Sequence, residues 1–242
     1  MRFDGVRVLI TGGGSGIGLA TARAFLQEGA QVAIAGRNGN KLEHAAKELN
    51  SERLLIHTAD VSQSDKVQDL VARVTDRLGG VDVLINNAGA NIKERAFRQL
   101  TPDSFEYLIR SNLHSAFLCI WAVLPQMVER KNGLIVNISS VAGVRAWPVS
   151  GAGYSAAKFG MTALGTCLGA EERESGIRVT NICPGEVDTP ILDFRPQPVT
   201  AEHRAKLLLP EDVAAAVLFV AGLPPRAHVP ELIIKPATHY FI

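Results

Sequence analysis

Apolar residues along this chain gather in short unbroken runs, and these alternate with longer stretches in which the apolar positions recur at helical spacing. Val6 to Ile10 leads into a glycine-rich turn and a helix-like stretch, Leu19 to Gly29. Gln31 to Gly36 predicts a second strand, and Asn38 to Leu49 a polar helix with Leu42, Ala45, Ala46 and Leu49 on one face. A third strand over Arg53 to Thr58 ends at Asp60 and Val61, with Ser62 placed to cap a helix over Gln63 to Leu78. Val81 to Ile85 is a fourth strand running into Asn86-Asn87-Ala88-Gly89, and Thr101-Pro102-Asp103 opens one long helix to about Arg130. Gly133 to Ser139, a helix from Gly153 to Ser175, and Ile177 to Ile182 follow; a proline-rich stretch, a helix over Pro210 to Ala221 and a short strand at Glu231 to Lys235 close the pattern. Strands without polar interruption are covered on both faces, so the alternation predicts an α/β fold: a doubly wound parallel sheet of about seven strands with helices on both sides.

Composition narrows the picture. Nearly half of the 242 residues are apolar and no polar linker or low-complexity tract divides them, which suits one domain over residues 1–242. Lys and Arg number 25 against 24 Asp and Glu, without a basic cluster, which disfavours nucleic acid as a partner. Neither a signal-like start nor an apolar run of membrane-spanning length is evident, so a cytoplasmic protein is expected. Cys119, Cys167 and Cys183 stand far apart among apolar neighbours and read as small buried hydrophobes. The six histidines show no ligand spacing, and no metal site is expected.

In a doubly wound sheet, ligands bind beyond the carboxyl ends of the strands, and the polar candidates fall there. Thr11-Gly12-Gly13-Gly14-Ser15-Gly16-Ile17-Gly18 follows the first strand and opens a helix. Glycines let the backbone approach a ligand, and the free N–H groups of the helix start favour an anion, a pyrophosphate above all. No Lys-Ser/Thr pair ends the turn, so nucleotide hydrolysis is a poor reading. Tyr154 and Lys158, four apart on a helix, share a face, where an ammonium lowers the pKa of a phenol and makes proton exchange feasible nearer neutral pH. Lys93, Arg95, Arg145 and Arg195 fall near the expected pocket mouth and read as loose surface charges; Trp147 lines the pocket or packs at a subunit contact.

Thr-Gly-x-x-x-Gly-x-Gly, Asn86-Asn87-Ala88-Gly89, Ser140, Tyr154-x-x-x-Lys158 and Pro184-Gly185, in this order and spacing, resemble the short-chain dehydrogenase/reductase family over nearly the whole chain. The resemblance implies a Rossmann fold and an oxidoreductase that interconverts a carbonyl and a secondary alcohol. It implies Tyr154 as proton donor and acceptor, Ser140 as the group that polarises the substrate oxygen, Lys158 as ligand to the nicotinamide ribose and depressor of the Tyr154 pKa, and Asn112 as holder of a relay water. For the cofactor it implies Thr11, Gly12, Gly14, Ser15, Gly16, Ile17 and Gly18 at the phosphates, with Asp60 and Val61 at adenine. Asn87, Ala88 and Gly89 would form a wall, Pro184, Gly185, Val187 and Thr189 would lie at the carboxamide end, and Tyr154 and Lys158 serve here too.

Gly36 stands where an NAD enzyme of this type usually carries an acid. Arg37 and Asn38, one and two residues on, offer donors to a 2′-phosphate, so NADP(H) is favoured, with NAD(H) as the alternative. The family's frequent Val-Asp-Gly-Gly ending is absent. The substrate-covering segment, about 190–209, is short, which predicts a pocket that is open or completed by a neighbour. Apolar residues on more than one side of the long helices, with the tail Tyr240-Phe241-Ile242, predict a homo-oligomer, a tetramer or a dimer. The partner expected in the pocket is a small-molecule carbonyl or alcohol. The competing class is a dinucleotide-binding redox sensor without turnover.

Overall fold

The computed structural model describes residues 1–239, and the tail Tyr240-Phe241-Ile242, expected to pack on a neighbour, lies outside the described residues. Seven parallel strands form one sheet in the order β3-β2-β1-β4-β5-β6-β7. They are β1 (Arg7–Thr11), β2 (Gln31–Gly36), β3 (Leu54–Thr58), β4 (Val83–Asn86), β5 (Gly133–Ile138), β6 (Ile177–Pro184) and β7 (Glu231–Ile234). The helices are α1 (Gly16–Gln27), α2 (Gly39–Leu49), α3 (Ser64–Leu78), α4 (Pro102–Ile109), α5 (Ser115–Glu129), α6 (Ala152–Glu171), α7 (Ala201–Arg204) and α8 (Pro210–Ala221). Strand order reverses between β1 and β4, which opens the crevice where such sheets bind ligands.

Period-two alternation sorts the buried side chains into two cores. Val8, Ile10, Val83, Ile85, Leu134 and Val136 point to the face covered by α1, α2 and α8, where Phe25, Leu42, Val213 and Val217 meet them. Leu9, Leu84 and Ile135 point to the other face, against Leu70 and Val74 of α3 and Cys119, Val123 and Met127 of α5. Each such aliphatic side chain, fully buried, contributes about 1.5–3 kcal/mol.

Five expectations change. The long helix is divided by a π-helical turn, Arg110–His114, between α4 and α5. Ser62 does not cap α3: its N–H and hydroxyl both donate to Asp60, at 3.1 and 2.8 Å, and the helix starts at Ser64. The helix after Tyr154 stops at Glu171, short of Ser175, and a 3₁₀ turn over Arg173–Ser175 follows. Cys119 and Cys183 are buried as read, whereas Cys167 is exposed. The run Pro102–Glu129 is, by length and composition, long and apolar enough to cross a membrane, contrary to the sequence reading. Its inner side chains, Leu118, Cys119 and Val123, belong to the core beneath the sheet.

Three asparagines in register cross the middle of the sheet, Asn86 on β4, Asn137 on β5 and Asn181 on β6. The Asn86 amide donates to Asn137 at 3.0 Å and the Asn137 amide to Asn181 at 3.1 Å; the Asn181 amide donates to the Thr162 carbonyl of α6 at 3.0 Å. Gly165 lets α6 lie on this ladder, since a Cβ there would come within 2.3 Å of Asn181 Oδ1. The three side chains are 2% exposed or less, so their amides depend on one another for partners.

Candidate active site

A cavity of about 1190 Å³ runs along the carboxyl ends of the strands, larger than most small-ligand pockets, which reach about 1,000 Å³. At its centre β1 passes into α1. Thr11 is buried and its hydroxyl oxygen accepts the N–H groups of Asn87 and Ala88, at 3.1 and 3.0 Å; the Asn87 amide donates back to the carbonyls of Thr11 and Gly12, at 2.9 and 3.2 Å. These bonds stitch the ends of β1 and β4 together. A Cβ at Gly18 would lie 2.4 Å from the Gly12 carbonyl oxygen, so the close approach of α1 to the turn requires glycine. No side chain caps α1, and its first turn carries no acid, leaving the first N–H groups for an anion. Gly12, Gly14, Ser15, Gly16 and Ile17 line the cavity; Thr11 and Gly18 are not on its wall and act by shaping the turn.

Past the end of β2, Gly36, Arg37 and Asn38 also line the cavity. Asn38 Oδ1 accepts the Lys41 N–H at 3.1 Å and caps α2, which leaves only its amide N–H groups for a ligand. Lys41 lines the same end, a cation that sequence reasoning passed over because it lies on the first turn of a polar helix. Asp60 and Val61 stand off the cavity wall. Burial raises the Asp60 pKa, but hydrogen bonds from Ser62 and Gln63 and the charge of Arg37 outweigh it, and the carboxyl stays below its usual range.

The chemistry-bearing side chains meet at the far side of the turn. Ser140 follows β5, and its Oγ accepts the Ala142 N–H at 3.1 Å. The preceding Ser139 is buried and bonds Thr162 and the Lys158 carbonyl, tying the end of β5 to α6. Tyr154 lies in the first turn of α6, with Lys158 one turn on. The Lys158 Nζ donates to the Ile138 carbonyl at 2.8 Å and lies 5.7 Å from the centre of the Tyr154 ring. Burial pulls the Lys158 pKa down to about 8. Burial also pushes Tyr154 up to about 12, against a hydrogen bond with Ser140 and the charge of Arg95, which both lower it. Sequence spacing assigned that lowering to Lys158; in the structure the ammonium is turned to a main-chain carbonyl and Arg95 supplies the charge.

Asn112 sits in the π turn, wholly buried. Its Oδ1 accepts the Ala90 N–H at 3.1 Å and its amide donates to Ala90 O and Leu108 O, both at 2.9 Å. Its side chain clamps the loop after Gly89. Asn87, Ala88, Gly89, Pro184, Gly185, Val187 and Thr189 all line the cavity.

Ion pairs close the substrate end. Glu186 accepts from Arg195 and pairs with His203, both at 2.5 Å; Arg204 reaches Asp188 at 2.5 Å and Asp193 at 3.0 Å. These pairs fasten the short covering segment within the chain. Burial raises the Glu186 pKa, and the hydrogen bonds from His203 and Arg195 more than reverse this. Glu186, His203 and His239, scattered in sequence, present ligand atoms within 4.8 Å of one another. Each Glu186 oxygen already faces a donor, Arg195 or His203, so the cluster reads as a hydrogen-bonded latch. Arg95, expected at the surface, is buried. Trp147 is about half exposed on the cavity rim.

Residues 6–198 match the family model described as short chain dehydrogenase. An uncharacterized oxidoreductase of Staphylococcus aureus is 33% identical over 231 residues, covering 94% of this chain and 96% of that protein. Among solved structures, a serine dehydrogenase in its closed form with NADP+ superposes with a TM-score of 0.90 at 30% identity, over 98% of this chain and 97% of the other. A 3-ketoacyl-(acyl-carrier-protein) reductase from Brucella melitensis with NADH gives 0.88 at 28% identity, over 97% and 98%.

Proposed function

The chain belongs to the short-chain dehydrogenase family of oxidoreductases, and from that premise we propose that it interconverts a small-molecule carbonyl and a secondary alcohol with NADP(H). The reading rests on the meeting of Ser140, Tyr154 and Lys158 in the cavity that the glycine turn opens. Gly12 to Ile17 and the start of α1 suit a pyrophosphate, and Arg37, Asn38 and Lys41 suit a 2′-phosphate that no carboxylate at Gly36 repels. The bound nicotinamide supplies or takes up the hydride. Tyr154 gives a proton to the substrate oxygen in reduction and takes it back in oxidation, while the Ser140 hydroxyl donates a hydrogen bond to that oxygen. Lys158 has ammonium protons beyond the one given to Ile138, available to ribose hydroxyls and to the tyrosine oxygen. Asn112 holds the loop that faces them. NADP+ bound to one neighbouring structure and NADH to another support the cofactor class, and Arg37 supports the preference for NADP(H).

The reading extends to one domain over the whole chain, a cytoplasmic location and a homotetramer or homodimer. Phe117 and Trp121 on α5 and Phe159 on α6 are 41–52% exposed, apolar surface suited to a second copy. Screening ketones and alcohols with both cofactors tests the activity: absence of NADP(H) binding and of turnover across the panel would sink it. A monomeric mass by light scattering at micromolar concentration would remove the oligomer.

A further inference from the structure

Arg95 is 5% exposed and lines the cavity, from the loop that follows β4. Its Nε donates to the Ile92 carbonyl at 2.7 Å, one Nη to Val149 at 3.2 Å and the other to Phe194. Those acceptors belong to three loops that wall the substrate end, the last of them the covering segment. Gly151 permits this packing, since a Cβ there would fall 2.7 Å from Arg95 Cβ. Three carbonyl dipoles solvate the guanidinium but do not neutralise it, and among the described residues none of its bonds goes to a carboxylate. Buried cations are ordinarily paired, and Arg195 nearby has Glu186. Three of the five N–H groups are spent, which leaves one on each terminal nitrogen, enough for a two-pronged bond to a carboxylate.

The surroundings favour the same guest. Lys93, Arg145, Lys158 and Arg195 share this end of the cavity, and among the described lining residues the carboxylates are Glu94 and Glu186, the latter engaged by Arg195 and His203. A chain with almost balanced charge has thus collected positive charge around one cavity. Arg95 and Tyr154 line the same cavity, and the charge of Arg95 favours the phenolate.

We propose that Arg95 anchors a carboxylate of the substrate, so that the enzyme acts on a compact oxo acid or hydroxy acid in preference to a neutral ketone or alcohol. This rests on the oxidoreductase reading above and adds the substrate class. The two remaining Arg95 donors match the two oxygens of one carboxylate; a phosphate monoester carries nearly twice the charge and more acceptors than those two donors can meet.

The test compares hydroxy acids of increasing chain length with their methyl esters and with phosphate esters of matched size, on enzyme saturated with NADP+. Wild type should turn over the best acid with kcat/KM at least ~10-fold above its ester. Arg95→Met should bring that ratio close to one, chiefly through KM, and Arg95→Lys should restore part of it, with cofactor affinity held in both. A ratio kept intact in Arg95→Met, with acid and ester losing activity together, would mean that Arg95 only braces the loops. Esters or phosphate esters used as well as acids by wild type would overturn the inference and leave the oxidoreductase intact; failure to turn over or bind any compound, with NADP(H) unbound as well, would remove both. Should Arg95→Met not fold, the wild-type ratio decides, together with competitive inhibition by propionate but not propionamide.

Discussion

The two ends of the cavity are built by different means. Around β1 and α1 the wall is main chain: glycines spaced over seven residues, uncapped N–H groups, and the Thr11 to Asn87 stitches that fix the turn. Around the covering segment the wall is side chain: Arg95 on three carbonyls, Glu186 between Arg195 and His203, and Arg204 between Asp188 and Asp193. A dinucleotide presents the same phosphates each time, and main-chain donors at a helix start suffice for it. A substrate is told apart by charge and shape, which only side chains drawn from distant loops can read.

The sharpest way to separate these regions is to strike the seam between them. Tyr154→Phe removes the proton donor and leaves both walls standing, so turnover should fall at least ~100-fold with NADP(H) affinity nearly unchanged; wild-type kcat in this variant would disprove the assignment. Within the nucleotide end, Gly36→Asp with Arg37→Ala should turn an NADPH preference of at least ~10-fold in kcat/KM into a preference for NADH. Equal use of both cofactors by wild type would show that Arg37 reads nothing.

The buried Lys158 gives a third contrast, in stability. Its pKa of about 8 in the folded chain lies below its ordinary 10.5. Between those values the unfolded chain holds a proton that the folded one lacks, so this contribution is fully present above 10.5 and is lost as pH falls through about 8. Urea unfolding should show a gain of roughly 1 kcal/mol over the first pH unit above 8, absent from Lys158→Met; identical pH curves would contradict the burial. The smallest effect belongs to the substrate end. Arg204→Ala opens two partly exposed ion pairs and should lower kcat/KM about two- to fivefold while NADP(H) binding holds. A matching loss of cofactor affinity would show that the ends are not separable.

The same division governs what could be read from the chain. β2 and α8 follow their apolar periodicity from first residue to last, and the glycine turn announces itself because its parts are contiguous. The π turn at Arg110–His114 escaped because one extra residue in a continuous apolar helix leaves its composition unaltered. Spacing put Lys158 on the same helix face as Tyr154, but it could not show that the Ile138 carbonyl would capture the ammonium. Arg95 looked like a surface charge since its acceptors, Val149 and Phe194, lie 54 and 99 positions away. Nothing in the local sequence carries such a signal.

The asparagine ladder also ties the assembly of the fold to the site. Each rung lies just ahead of a functional segment: Asn86 before Asn87 to Gly89, Asn137 before Ser140, and Asn181 before Pro184 and Gly185. If β5 paired one residue out of step, its amide would turn to the opposite face and strand its neighbours without partners, at about 1–3 kcal/mol for each buried group left unpaired. An aliphatic core tolerates such slips far better, because one methyl group substitutes readily for another. The ladder therefore works as a proofreader of strand alignment, and the alignment it accepts is the one that brings three loops, far apart along the chain, level with one another at the mouth of the crevice.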